Sequence, residues 1–326
     1  MKVFLEKGTY KGKIDAIGSK SFAHRFLIAS FLANNYSKIS NVPGSKDIEA
    51  TLNCISALGA KYEKHDDVIT LLKKDKISKV PTLECIESGS TLRFMIPVAL
   101  ALTDEVIFKG TPRLIERGIG VYETIMSNQK VIVNKSEDSI HLKGKLKSGV
   151  FEIDGSISSQ FITGLLFALP LLDGDSVIKL VPPVNSKNYI DITLEILKKY
   201  MISYEINENI IKIPGNQKYV ARDYEVEGDY SNSAFIDAFN YFGSDIQINR
   251  LNINSLQGDK VYIEHFKSLS ERYCNIDISQ CIDLGPILFV FSAFVLGVCA
   301  SGFAYPSGKW KGIHVSPGDT LSDTLA

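Results

Sequence analysis

One pattern recurs along this chain and limits what it can fold into. Three segments, LGAKYEKHDDVITLL from Leu58, SNQKVIVNKSEDSIHLKG from Ser127 and KKYMISYEINENIIKIPG from Lys198, each read as a helix end, a strand, a polar turn and a second strand. Their starts lie about 70 residues apart, too far for the common solenoid repeats. An amphipathic helix precedes each one: DIEATLNCISALGA, IERGIGVYETIMSN and YIDITLEILKKY. In phase with these, small polar residues lead into long apolar helices in GSKSFAHRFLIASFLA, ESGSTLRFMIPVALAL, GSISSQFITGLLFALPLL, GDYSNSAFIDAFNYFG and CIDLGPILFVFSAFVLG. The unit is therefore an apolar helix, a linking strand, an amphipathic helix and a hairpin. Such a unit cannot bury its own faces. Three together enclose their apolar helices under sheets, which predicts a mixed α/β (α+β) architecture of repeated units.

The starts of the apolar helices carry the chemistry. Gly18 and Ser19 permit a tight turn, after which Phe22, Phe26, Leu27 and Ile28 recur at helical spacing. Lys20 and Ser21 then fall at a helix start, with Arg25 one turn on. Free N–H groups and the helix dipole favour an anion there. An ordinary serine cap with solvated charges is the competing reading. A phosphate-binding P-loop is excluded, because Ser19 separates Gly18 from Lys20 and Gly12 is one residue too far back. The next starts offer Ser88, Gly89, Ser90, Thr91 and Arg93, then Ser156, Ser158, Ser159 and Gln160, while GTPRLIERGIG supplies Arg113 and NSKNYIDIT supplies Ser186 and Lys187. Hydroxyls, lysine and arginines together suit a substrate bearing phosphate and carboxylate groups. No spacing suggests a metal or a nucleotide cofactor.

Composition narrows the class. A length of 326 residues suggests two domains, and a net charge of −1 gives no global field for nucleic acid or anionic membrane. Five cysteines without a CxxC pair and a charged start, MKVFLEKGTY, read as a reduced cytoplasmic protein. The uncharged run Leu284–Ser307 is long enough to span a bilayer, but Pro286, Gly297, Gly302 and Pro306 interrupt it, and a buried helix is the favoured reading.

Six motifs, GSKSFAHR, ESGSTLRF, GTPRLIERGIG, GSISSQFITGLL, NSKNYIDIT and EGDYSNSAF, occur in the order that resembles the 5-enolpyruvylshikimate-3-phosphate synthases. The related UDP-N-acetylglucosamine enolpyruvyl transferases carry Lys-Asn where this chain has Lys20-Ser21, and rank second. The resemblance implies two domains of three units each, with pseudo-threefold symmetry and substrates between them. It also implies transfer of the carboxyvinyl group of phosphoenolpyruvate to shikimate 3-phosphate, with no cofactor or metal and no nucleic-acid or membrane partner, by a cytoplasmic monomer. By motif, Lys20 contacts both substrates. Ser21 and Arg25 hold the shikimate carboxylate, and Ser158, Ser159 and Ser186 hold its phosphate. Gln160 lies between the substrates, Gly89 admits phosphoenolpyruvate to the backbone, and Arg113 binds its anionic groups. Asp283 in CIDLGP matches a cleft aspartate, the candidate proton acceptor, though its residues alone read as a helix cap. Expected roles away from substrate are a helix-surface His24, Asp47 capping its helix, and an ion pair between Glu116 and Arg117. Glu87 departs from the asparagine of many relatives.

The family runs longer than this chain, and beyond Gly297 no Lys-Glu-x-Asp-Arg motif follows, which reads as a truncated or misjoined end. Residues 16–223 are expected to form a complete three-unit domain, and 1–15 with 224–326 an incomplete split one. A remnant that binds shikimate 3-phosphate without catalysis, and a protein tethered through Leu284–Ser307, stand as alternatives.

Overall fold

A computed structural model describes residues 8–271, 275–296, 300–304 and 310–315. Residues fall into two compact units, one of Gly18–Val226 and one of Met1–Ile17 with Glu227–Ala326.

The repeat is visible in the first unit. Helix α1 (Lys20–Ala33) is followed by strand Ser37–Ser40, α2 (Lys46–Ala57) and the hairpin Tyr62–His65/Val68–Leu71. Then come α3 (Gly89–Leu102), strand Glu105–Lys109, two short helices α4 (Pro112–Glu116) and α5 (Gly120–Asn128), and the hairpin Ile132–Lys135/Ser139–Lys143. The third pass gives α6 (Ser159–Ala168), strand Ser176–Val181, α7 (Lys187–Lys199) and the hairpin Glu205–Asn207/Ile210–Ile213. Each pass builds a four-stranded sheet in which the linking strand pairs parallel with an edge strand and antiparallel with the hairpin. Where one amphipathic helix is read from IERGIGVYETIMSN, the structure has two. Gly118, at φ +70°, breaks the path between them.

Helices α1, α3 and α6 are apolar on all sides because the core surrounds them. A Cβ on Gly164 of α6 would stand 2.5 Å from the Arg93 carbonyl of α3, so glycine sets how close these helices approach. Pro97 removes the N–H that would have bonded that same Arg93 carbonyl. The Tyr122 hydroxyl of α5 takes its place, 2.8 Å from Arg93 O.

In the second unit, strand Lys11–Asp15 pairs parallel with Asp245–Asn249. Helix α8 (Tyr230–Tyr241) is capped by Asp229, which accepts from Asn232 N at 2.8 Å. With α9 (Tyr262–Glu271) and α10 (Gly285–Leu296) it forms an aromatic core, where Phe266 and Phe291 stack at 4.0 Å. The apolar run from Leu284 divides into the twelve residues of α10 and a strand at Ala300–Ala304. Among the described residues no helix is long and apolar enough to cross a membrane. Apart from two strands, the tail beyond Gly297 lies outside the described residues.

Candidate functional site

Helix α1 begins at Lys20, and its N-cap Ser19 makes no capping side-chain hydrogen bond. The Lys20 ammonium lies half-exposed, 2.9 Å from Asp47 Oδ2 on α2. Asp47 is not the cap of its helix; Ser45 is, accepting from Ile48 N. Burial pushes the Asp47 carboxyl up, but hydrogen bonds from Lys20 and Ser88 outweigh it and hold the group below the usual carboxylate range.

Arg25 is buried, one turn along α1. Its Nε donates to Thr193 Oγ1 at 2.8 Å, Nη1 to Ser21 O at 2.7 Å, and Nη2 to Thr163 Oγ1 at 3.2 Å and Tyr189 O at 3.1 Å. The face of Phe94 covers the guanidinium at 5.1 Å. Burial draws its pKa down to about 10, so the group stays charged at neutral pH. Its described acceptors are all neutral. A buried cation among neutral acceptors is electrostatically favourable to an anion.

At the start of α3, Ser88 caps by accepting from Thr91 N. A Cβ on Gly89 would lie 3.4 Å from both terminal nitrogens of Arg117 and from Arg93 Nη1. The backbone at Gly89 therefore opens onto two guanidinium groups. Burial, then the nearby Arg117 charge, lower the Arg93 pKa. Arg93 Nη1 donates to Gln160 Oε1 at 2.5 Å, and Gln160 Nε2 to Ser90 Oγ at 2.9 Å, so this one amide ties α6 to α3. Arg113 supplies none of the three nearest atoms at Gly89. It is exposed and makes no side-chain hydrogen bond or ion pair among the described residues. The expected Glu116–Arg117 ion pair is not formed among the described residues; Arg117, the cap residue of α4, stands at Gly89 instead. Its place four residues after Arg113, one helical turn along, is the signal in the sequence that marks it.

Ser158 caps α6, accepting from Gln160 N, and Ser159 is buried at the first turn. The loop before α7 comes to them because Gly155 lacks a side chain: a Cβ there would sit 2.9 Å from Val184 Cγ2 and 3.1 Å from Pro183 O. Asn185 fastens the two loops, N to Gly155 O and Nδ2 to Ser156 O. Ser186 follows at φ 55°, ψ 39°, a left-handed conformation unusual for serine, with its hydroxyl not used as a cap. Within this unit the structure thus joins Lys20, Ser21, Arg25, Gly89, Gln160, Ser158, Ser159 and Ser186 through packed helix starts.

Asp283 belongs to the other unit, in the turn Ile282–Leu284. Asp259 is its neighbour. Burial raises the Asp259 carboxyl to about 7 against a hydrogen bond from Ser231, and the charges of Asp283 and Asp229 add to the rise. His24 also departs from expectation: it is buried rather than on the helix surface, because α2 and α3 pack over it. Among the described residues no His, Cys, Asp and Glu group is placed to hold a metal ion.

A family profile described as EPSP synthase (3-phosphoshikimate 1-carboxyvinyltransferase) matches residues 6–301. The chain is 40% identical over 313 residues to the 3-phosphoshikimate 1-carboxyvinyltransferase of Clostridium novyi, covering 86% of this chain and 72% of that one. It is 38% identical to the enzyme of the same name from Clostridioides difficile, covering 91% and 74%. In structure it is similar to EPSP synthase from Acinetobacter baumannii, with TM-score 0.72 at 16% identity over 96% of this chain and 83% of that one.

Proposed function

The chain belongs to the EPSP synthase family, and from that premise we propose that it transfers the carboxyvinyl group of phosphoenolpyruvate to shikimate 3-phosphate in the shikimate pathway. The shikimate hydroxyl adds to C2 of phosphoenolpyruvate while C3 takes a proton. The tetrahedral ketal then expels phosphate and loses a proton from its methyl group, leaving the enol ether. Both substrates are polyanions, so their approach requires fixed cations at the junction.

The observation that carries this reading is Arg25, a buried guanidinium surrounded by neutral acceptors one turn from the Lys20 ammonium. Arg25 and Ser21 receive the shikimate carboxylate. Ser158, Ser159 and Ser186 receive the phosphate, the last with its hydroxyl kept out of the helix cap. Lys20 neutralises charge where the substrates meet, and Gln160, anchored on Arg93 and Ser90, orients them. At Gly89 the phosphoenolpyruvate anion meets Arg117, with the exposed Arg113 as a second cation for its anionic groups. Asp283 serves as proton acceptor. The protein acts in the cytoplasm as a monomer.

Inorganic phosphate released by the purified chain from both substrates tests the reading, with Lys20→Ala as control. Release that depends on both substrates and is lost in the control is expected. Shikimate 3-phosphate binding without any release would instead support a binding remnant.

A further inference from the structure

Three helix starts in the first unit are joined by a chain of hydrogen bonds that the substrate contacts do not explain. His24 Nδ1 lies 2.7 Å from Thr51 Oγ1, Thr51 Oγ1 lies 2.8 Å from Thr91 Oγ1, and Thr91 Oγ1 donates to the backbone carbonyl of Asp47 at 3.2 Å. Ser88 Oγ donates to Thr91 Oγ1 at 2.9 Å. The chain runs from α1 through α2 to α3 and returns to α2 at Asp47, whose carboxylate holds Lys20.

Counting protons fixes its direction. A hydroxyl has one donor and two acceptor positions. Thr91 spends its proton on Asp47 O and accepts from Ser88, so its remaining position accepts from Thr51. Thr51 has then spent its own proton and accepts from His24. His24 therefore carries its proton on Nδ1 and leaves Nε2 bare. That atom is buried and has no hydrogen-bond partner among the described residues, in a residue only 2% exposed. Burial draws the ring's pKa down to about 3, consistent with a neutral imidazole.

We propose that His24 is a positioning residue: its Nδ1–H sets the direction of the Thr51–Thr91 relay, which fixes Asp47 and through it the Lys20 ammonium at the start of α1. The relay exists whether or not the chain is an active transferase; only its consequence for turnover rests on that reading. Asp47 is gripped at its backbone by Thr91 and at its carboxylate by Lys20. Loss of the histidine donor frees Thr51 to turn its proton elsewhere, and the grip on Asp47 O loosens.

Two measurements without turnover test the relay. Nitrogen-15 NMR of the full chain should show His24 as the Nδ1–H tautomer, with Nε2 unprotonated; an Nε2–H ring overturns the proposal. Acetylation of Lys20, read by mass spectrometry, should speed up several-fold in His24→Leu, because a side chain released from its carboxylate partner meets the reagent more freely. His24→Asn should restore the slow rate, since its amide nitrogen hangs from Cγ as Nδ1 does. Thr51→Val breaks the relay with His24 in place, and serves if the leucine variant does not fold. It should speed acetylation equally, and the double variant should be no faster than either single one. A folded His24→Leu or Thr51→Val protein with unchanged Lys20 reactivity overturns the proposal. In the transferase assay, kcat should fall in His24→Leu and recover in His24→Asn; a lowered melting temperature with kcat intact in both would reduce His24 to a packing residue.

Discussion

The two units use the same apolar helix differently. In the unit of residues 18–226, α1, α3 and α6 enclose one another, and Leu27, Ile28, Met95, Ile162 and Phe167 are fully buried. In the other unit, α8 and α10 pack on α9 but leave one face open. Phe235 and Phe239 follow one another along α8 with Phe242 at its cap, and Val290 and Phe294 along α10, all more than 40% exposed. Phe242 and Phe294 meet at 5.6 Å, so the open faces join into one patch. An all-round apolar helix thus buries every face only when neighbours close every side. The same closure ties the first turns of α1, α3 and α6 together through Arg25, Arg93 and Gln160.

The largest expected effect tests that closure. Phe167→Ala should cost about 3–5 kcal/mol in urea denaturation, because a fully buried phenylalanine leaves a cavity that its packed neighbours cannot fill. Substitution of Arg117 comes next. Arg117→Ala should raise the KM for phosphoenolpyruvate roughly tenfold to a hundredfold, the worth of one hydrogen bond to a charged group. Arg113→Ala should change it by less than about threefold, as for an exposed surface charge. Equal effects would cancel the distinction drawn at Gly89.

The two units should also respond oppositely to pH. His24, with a folded pKa of about 3 against an ordinary 6.5, binds fewer protons folded than unfolded. Its contribution is complete above pH 6.5 and is lost as pH falls toward 3. Asp47, held below its ordinary value, acts in the same sense at lower pH. Asp259, raised from 3.8 to about 7, binds more protons folded. Its unit should lose stability as pH rises from 4 to 7. Urea midpoints followed residue by residue with NMR should move in opposite directions, and Asp259→Asn should flatten the second slope. The smallest effect belongs to Phe294→Ser, within about 0.5 kcal/mol of the parent because the ring is already in water. It should lower dye binding to the exposed patch.

The sequence made the repeat legible because apolar periodicity reports burial directly: each apolar helix and each hairpin lies where the spacing put it. Helix starts were legible for the same reason, and Lys20 and Gly89 open α1 and α3. What escaped were features set by contacts distant along the chain. His24 looks like a surface residue until α2 and α3 cover it. Arg117 looks like a partner for Glu116 until the break at Gly118 turns it toward Gly89. Asp259 has no unusual sequence neighbours; its shifted proton affinity comes from burial, with smaller additions from Asp283 and Asp229.

Hydrogen–deuterium exchange of the full chain, with and without shikimate 3-phosphate, reads the helix starts themselves. Protection is expected at the starts of α1, α6 and α7, which carry Arg25, Ser159 and Ser186. Protection centred on α8 and α10, with those three starts unchanged, would contradict it.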